Sequence, residues 1–434
     1  MTNNKDKKVL NVPDKREQND ACISSAERKE QVTKAQPKGN VPALRFPEFS
    51  GEWGKYTLGD IGDTYNGLTG KSAVDFGSGS PFITYKSIFD NSKIDVSKIE
   101  YVRITDAERA KRTQNEVKYG DIFFTTSSET PNEVGMASVL LTDISDCYLN
   151  SFCFGYRIID KEAYRPEFFR FYLHSNKVRR NIAILAQGST RFNISKNEVM
   201  RMSINLPKYA EQRKVAQFLS LIEERISTQN KIIEKLETLI KGIVELAFSH
   251  AATSNTLGCY ITQISQRNKT GKDLPVLSVS NKHGFVEQSE QFEDRIIASD
   301  DTSNYKIVDI NDFAYNPARI NVGSIARLKD KECGIVSPMY ICFRTSKDIL
   351  PEYLELFLKT VKFSSEVGRR LEGSVRLCLS FESLCEIVIP VISIREQQSL
   401  AKMATTFYTK LDVERGVLRS YQSQKQYLLS QMFI

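Results

Sequence analysis

Between Glu211 and Phe248 apolar side chains recur at steps alternating between four and three: Val215, Leu219, Ile222, Ile226, Ile233, Leu236, Ile240, Ile243 and Ala247. One polar residue, Gln229, interrupts the series, and the stretch contains no proline and one glycine, Gly242. This is a heptad seam held for about five heptads, which predicts a coiled-coil helix rather than a surface helix of a compact domain. At about 1.5 Å of rise per residue such a helix reaches roughly 55–60 Å and needs a partner. The partner is in the same chain. Leu400, Ala404, Phe407, Leu411, Leu418, Tyr421, Leu428 and Met432 repeat the seam 185 residues on (400 − 215 = 185), with Glu414 matching Gln229 and Lys425 matching Ile240.

The stretches before the two helices repeat as well. Thr57-Leu58-Gly59 returns as Thr256-Leu257-Gly258, Thr69-Gly70-Lys71 as Thr270-Gly271-Lys272, and Val134-Gly135 as Val322-Gly323. Pro166-Glu167-Phe168 returns as Pro351-Glu352-Tyr353, and Gly188-Ser189-Thr190-Arg191 as Gly373-Ser374-Val375-Arg376. Strand-like runs at Pro81–Tyr85, Asp121–Thr126, Ala137–Leu141 and Phe152–Ile159 precede a helical pattern over Pro166–Ala183. The second half has strand-like runs at Pro275–Val279, Asp312–Tyr315, Ser324–Leu328 and Tyr340–Arg344, then a helix over Pro351–Leu371. In each half a proline, Pro207 or Pro390, closes the domain, and an acid, Glu211 or Glu396, sits in the first helical turn, where it favours the dipole.

The predicted fold class is α+β. Two similar domains of mixed strands and helices are separated by a long antiparallel two-helix coiled coil with pseudo-two-fold symmetry. The expected division is a polar, disordered tail over 1–40, a first domain over 41–207, a central helical spacer over 208–250, a second domain over 251–390 and a distal helical spacer over 391–434. If the helices are antiparallel, Gln229 and Glu414 share one layer near the pseudo-axis, and that polar layer is expected to fix the register.

Composition narrows the function classes. Sixty Lys and Arg against 53 Asp and Glu give a net charge of +7 and a pI of about 8.8, a mild tilt toward a polyanionic partner. The eight cysteines form no CxxC pair and the three histidines are scattered, so neither a zinc cluster nor a disulfide scaffold is expected. Met1–Lys8 has no apolar core, and no run of about 18 apolar residues occurs, so the expected location is the cytoplasm.

Candidate catalytic patterns fail one by one. Pro13-Asp14 with Glu27-Arg28-Lys29 mimics a nuclease motif but lacks flanking strands, and Gly70-Lys71-Ser72 lacks the glycine that a phosphate loop requires, having Tyr65 there. Asn316-Pro317-Ala318-Arg319 lacks the second proline and the aromatic of an amino-methyltransferase motif. No nucleophile–base arrangement stands out, and no catalytic or metal-binding residue is expected.

Two similar domains on a rod form a ruler, and DNA is a rod with a fixed repeat. Features common to both halves are expected to position phosphates, and differing features to read bases. The shared candidates are Lys71 and Arg191, matched by Lys272 and Arg376. The differing ones are Lys86, Ser127, Ser128 and Asn132 in the first half, and Asn281, Lys282, Asn316, Arg319 and Asn321 in the second. A coiled-coil adaptor that binds protein through both domains is the alternative.

The chain resembles the DNA-specificity subunit of type I restriction-modification systems. The likeness is carried by Val41–Phe49 with Glu52-Trp53, Leu58-Gly59-Asp60-Ile61, the run Gly188–Ser195, and the two helix starts Leu206-Pro207…Glu211-Gln212 and Ile389-Pro390…Glu396-Gln397. The resemblance covers about residues 41–434. It implies two target-recognition domains reading a bipartite, asymmetric double-stranded DNA site, and helices that dock two methyltransferase subunits, with restriction subunits joining them. It implies no cofactor in this chain, with S-adenosylmethionine, ATP and Mg in the partner subunits. The outer helix faces, including Gln212, Lys214, Gln217, Thr228, Lys231 and Lys235, are expected to contact the methyltransferase subunits.

Overall fold

The computed structural model describes residues 39–111, 116–249, 253–281, 283–288, 302–373 and 376–434. The expected tail and its nuclease-like decoy lie almost wholly outside the described residues. The two seams form single helices, Tyr209–Ser249 and Ile394–Gln431. The chain divides into two units, the first ending at Ser220 and regaining Lys425–Ile434, the second running from Leu221 to Gln424. Each unit therefore holds a mixed α+β part and one end of each long helix.

In the first unit four antiparallel strands stand in the order Gly62–Asn66, Cys153–Ile158, Ile122–Thr125, Ala137–Val139. In the second unit Ile261–Ile264, Ile341–Thr345, Phe313–Tyr315 and Ile325–Arg327 repeat that order, again antiparallel throughout. The inner strands are buried on both faces, which is why Ile122-Phe123-Phe124 and Phe313-Ala314-Tyr315 read as continuous apolar runs. Cross-strand rings stack in both cores, Phe124 on Phe154 and Phe313 on Phe343, each with centroids 5.1 Å apart. A second sheet accompanies each of these, three-stranded in the first unit and four-stranded in the second. In both units it contains one parallel pair, Phe76–Ile83 with Tyr148–Leu149 and Val276–Ser280 with Cys333–Val336. A two-stranded ribbon joins the first strand of each domain to its last, Gly54–Thr57 to Ser203–Leu206 and Thr253–Thr256 to Val388–Val391.

The helices expected over 166–183 and 351–371 are each two helices. They run over Pro166–Tyr172 and Asn176–Ile184, and over Pro351–Phe357 and Val361–Arg370. A polar residue, Ser175 or Thr360, stands at each break. The Thr360 hydroxyl donates to Phe357 O (2.7 Å) and accepts from Phe363 N (3.1 Å), closing one helix and capping the next.

Within the second unit the two long helices run antiparallel. Phe248, at the end of the first, packs on Tyr353 and Phe357 of the helix Pro351–Phe357. Gln397, at the start of the other, accepts from Leu350 N (2.9 Å) just ahead of that same helix. Away from this end Gln229 meets Glu414. Its Nε2 donates to the Glu414 main-chain oxygen (3.1 Å) and to its carboxylate, while Glu414 also pairs with Lys410 (2.5 Å). The expected polar layer is thus formed, with Gln229 buried.

One expectation for the outer helix face is corrected. Gln212 is buried rather than outward-facing. It accepts from Arg165 N (2.9 Å) and donates to Pro207 O (2.9 Å) and Ala163 O (3.2 Å). Gln397 repeats this staple with Leu350 N, Ile392 O and Asp348 O. Beside Gln212, Glu211 is buried under a bidentate Arg45 (2.7 Å to each oxygen) and the Trp53 indole N–H (3.2 Å). The sequence Val41–Trp53 is therefore a strap over the start of the first long helix.

Candidate nucleic-acid interface

The glycines that open the two loops share one backbone conformation. Gly188 has φ +129° and Gly373 φ +122°, the left-handed region that favours glycine. A Cβ at either would lie 2.2 or 2.3 Å from the carbonyl oxygen of Arg191 or Arg376. Paired main-chain bonds close each loop, Gln187 with Asn193 and Glu372 with Cys378. Arg191 and Arg376 are exposed at the tips.

In the first unit this loop lies on the edge that carries the other candidates. Phe192-Asn193 pairs antiparallel with Ser127-Ser128. The hydroxyl of Tyr85 donates to Ser127 O (2.6 Å), which ties in the short helix Tyr85–Phe89 and its exposed Lys86. Asn132 is exposed on the next turn, where Ser128 Oγ and Thr130 Oγ1 both donate to Glu133 (3.3 and 2.8 Å). Ser127 and Ser128 are themselves buried, so they build the edge rather than top it. Burial raises the pKa of the Tyr85 phenol above its ordinary value.

In the second unit the corresponding edge is the segment Asn316–Gly323. Leu379 N donates to Pro317 O (3.1 Å), which docks the Arg376 loop against it, just as Ile194 N donates to Thr126 O (2.9 Å) in the first unit. Arg319 and Asn321 are exposed, while Asn316 folds inward and its Oδ1 accepts from Ala318 N (3.1 Å). Gly323 lies against Asn281, whose side chain is exposed; a Cβ there would come within 3.7 Å of the Asn281 Cβ. Lys282 lies outside the described residues.

The matching lysines part company. Lys272 is exposed on a turn held by Asn268, whose Oδ1 accepts from Lys272 N (3.0 Å). Lys71 is folded in, bonded to Arg103 O (2.6 Å) and paired with Glu108 (2.7 Å), with its side chain only 9 % exposed. It is already neutralised within its own domain.

At the start of the inner strand in each domain, the end away from the edge, stands an ion pair that pattern reading did not single out. Asp121, fully buried, takes two bonds from Arg157 (2.8 and 2.6 Å), one from Tyr65 and one from Lys118 N. Asp312 takes two from Arg344 (2.6 and 2.8 Å) and one from Asp309 N. These carboxylates raise the pKa of both guanidinium groups. The recurrence of Asp121-Ile122-Phe123 as Asp312-Phe313 was the available signal. The arginines are far along the chain, so only pairing across the sheet reveals them.

Among the described residues no cluster of His, Cys, Asp and Glu could hold a metal ion, and no helix is long and apolar enough to cross a membrane.

Residues 50–238 match the family model of the type I restriction modification DNA specificity domain. The type I restriction enzyme MjaX specificity subunit of Methanocaldococcus jannaschii is 25% identical over 255 residues, 57% of this chain and 56% of that protein. The alignment thus spans little more than half of either chain. The crystal structure of a type I restriction-modification S subunit from M. genitalium superposes with a TM-score of 0.55 at 17% identity, covering 91% of this chain and 99% of that one. A chain from a structure of type I R-M complex assembly and conformational transition gives 0.53 at 16%, covering 89% and 98%. At these identities the likeness is one of fold, and it extends over both halves of the repeat. The family match covers residues 50–238, and the fold shared with these specificity subunits extends over both halves of the repeat.

Proposed function

We infer that this chain reads a bipartite, asymmetric double-stranded DNA site, one half with each domain, as the non-catalytic specificity subunit of a type I restriction-modification complex. One observation carries the reading. The same glycine-opened arginine loop is docked on an equivalent edge in both domains, while the exposed side chains around it differ: Lys86 and Asn132 in the first, Asn281, Arg319 and Asn321 in the second. A common phosphate contact with divergent base contacts is what a split, asymmetric site requires. Lys272 joins the phosphate-facing group, whereas Lys71 is spent on Glu108.

The partners follow from the helices. Ile232, Leu239 and Leu246 lie one heptad apart, off the seam, and are 38, 48 and 60% exposed. With exposed Lys231 and Lys235 beside them, they form an outer stripe suited to helices of a methyltransferase subunit. Restriction subunits would join that core. S-adenosylmethionine, ATP and Mg would be bound by those partners in the cytoplasm, and this chain would bind none.

The test is co-expression with the neighbouring methyltransferase subunit and mapping of modified adenines. The expected result is a split motif with two fixed half-sites and a constant gap, and exchange of residues 253–390 should change one half-site only. A continuous motif, or a complex that modifies nothing, would favour the protein-binding adaptor instead.

A further inference from the structure

We propose that Arg179 is a positioning residue for base discrimination by the first domain, acting through the turn that carries Asn132. The proposal rests on the DNA-reading function above. Arg179 stands on the helix Asn176–Ile184 and reaches into the turn Pro131–Gly135. Its Nη1 donates to Gly135 O (2.7 Å), and its Nη2 donates to Val134 O (2.7 Å) and Asn132 O (2.9 Å). Among the described residues no carboxylate pairs with it. Burial lowers its pKa to about 10, so it stays charged at neutral pH.

A desolvated cation without a counter-ion is unfavourable unless its donors are well used. Here all the partners are carbonyl oxygens of one short turn. A planar fork can gather three carbonyls that would otherwise repel, and a lysine cannot match its geometry. Gly135 has φ +62°, and a Cβ there would lie 2.7 Å from Ile182, so the turn also sits tightly on the helix that carries Arg179. From the other side Glu133 accepts from Ser128 and Thr130. The turn is clamped from both sides, with the Asn132 side chain exposed between the clamps.

The second domain lacks this device. The position matching Arg179 is the exposed Ser364 (179 + 185 = 364). Its turn closes on its own main chain, with Gly323 N donating to Ile320 O (2.9 Å) and Ser324 N to Arg319 O (3.1 Å). The consequence of losing Arg179 is therefore one-sided, unlike that of a general packing defect.

The experiment uses the full chain in complex with its methyltransferase partner and reads base preference at every position of the modified sites. Arg179→Met should lose at least about tenfold discrimination at one or more positions of the half-site read by the first domain, with the second half-site unchanged. Arg179→Lys should fall between Arg179→Met and the native chain. Asn132→Ala should relax the same positions without moving the unfolding midpoint, which keeps the test decisive if Arg179→Met does not fold. Strict half-sites in Arg179→Met, equal loss in both halves, or unaltered discrimination in Asn132→Ala would each overturn the proposal. A native complex without a split motif would instead overturn the DNA-reading function itself.

Discussion

Gln212→Ala is the most informative single perturbation of the scaffold. It removes one acceptor and two donors from the junction between the first domain and the first long helix. Arg165 N loses its acceptor at 2.9 Å, and Pro207 O and Ala163 O lose donors at 2.9 and 3.2 Å. A buried polar group left without a partner costs about 1–3 kcal/mol. Ala163 and Arg165 are only half-buried, so water can replace their bonds, and Pro207 O sets the cost at about 1–3 kcal/mol. With a urea slope of about 1–3 kcal/mol/M, the midpoint should drop by roughly 1 M. The chain supplies its own probe. Trp53 is the single tryptophan, bonded to Glu211 and packed edge-on against Phe168 in the same unit. Gln212→Ala should shift the Trp53 fluorescence transition, and Gln212→Glu should shift it further at neutral pH, because a carboxylate would face two carbonyls. A shift below about 0.5 kcal/mol, the level of ordinary surface changes, would refute the staple.

Other outcomes follow from single contacts. Replacing Gln229 and Glu414 together by leucine should leave stability unchanged or raise it by about 1 kcal/mol, yet let the gap between half-sites vary; a single constant gap would remove the register role. Gly188→Ala places a Cβ 2.2 Å from Arg191 O at φ +129°, a strain of about 1–3 kcal/mol, and should weaken DNA binding through the first half-site alone in a gel-shift titration. Burial, helped by the charges of Arg179, Lys425 and Arg170, lowers the His174 pKa from 6.5 to about 4. Below pH 6.5 the unfolded chain then takes up a proton that the folded chain refuses, so stability present above that pH is lost as pH falls toward 4. Between pH 7 and 5 this amounts to about 2 kcal/mol that His174→Gln should not lose, read from urea midpoints at the two pH values.

The long helices and the repeat were legible in the sequence because both are periodic signals, and a seam of 4-3 steps admits few structures. The breaks near His174 and Thr360 were not legible, since the apolar spacing continues across them and only the Thr360 hydroxyl bonds reveal the stop. Single residues fared according to what lay across the fold. Lys71 looks like Lys272 in sequence, but Glu108, 37 positions away, folds it in. Gln212 looks like a solvent-facing helix residue, yet the carbonyls of Ala163 and Pro207 converge on it. The hydroxyls of Ser127 and Ser128 look like base contacts in the sequence, whereas their main chain does the positioning by pairing with Phe192-Asn193. Arg179 gave no signal at all, because its partners are carbonyls that any sequence would supply.

The two domains have diverged in different ways at the core and at the edge. In the first, Tyr65 stands opposite Gly155, and a Cβ on Gly155 would come within 2.1 Å of the Tyr65 ring. In the second, the same register positions hold Ile264 and Cys342. A large–small pair has become a medium–medium pair, which preserves volume, as a close-packed interior demands. The Tyr65 hydroxyl bond to Asp121 is lost in that exchange, but the arginine pair is kept, Arg157 with Asp121 and Arg344 with Asp312. Core changes thus come with compensating partners. At the edges Asn132 and Lys86 give way to Arg319, Asn321 and Asn281 without any such compensation, because exposed side chains have no neighbours to satisfy. A domain whose interior must change in matched pairs while its edge changes freely can acquire a new target sequence without losing its fold, provided that the turns beneath the edge are held from inside. Arg179, Glu133 and the glycine at 188 do that holding in the first domain.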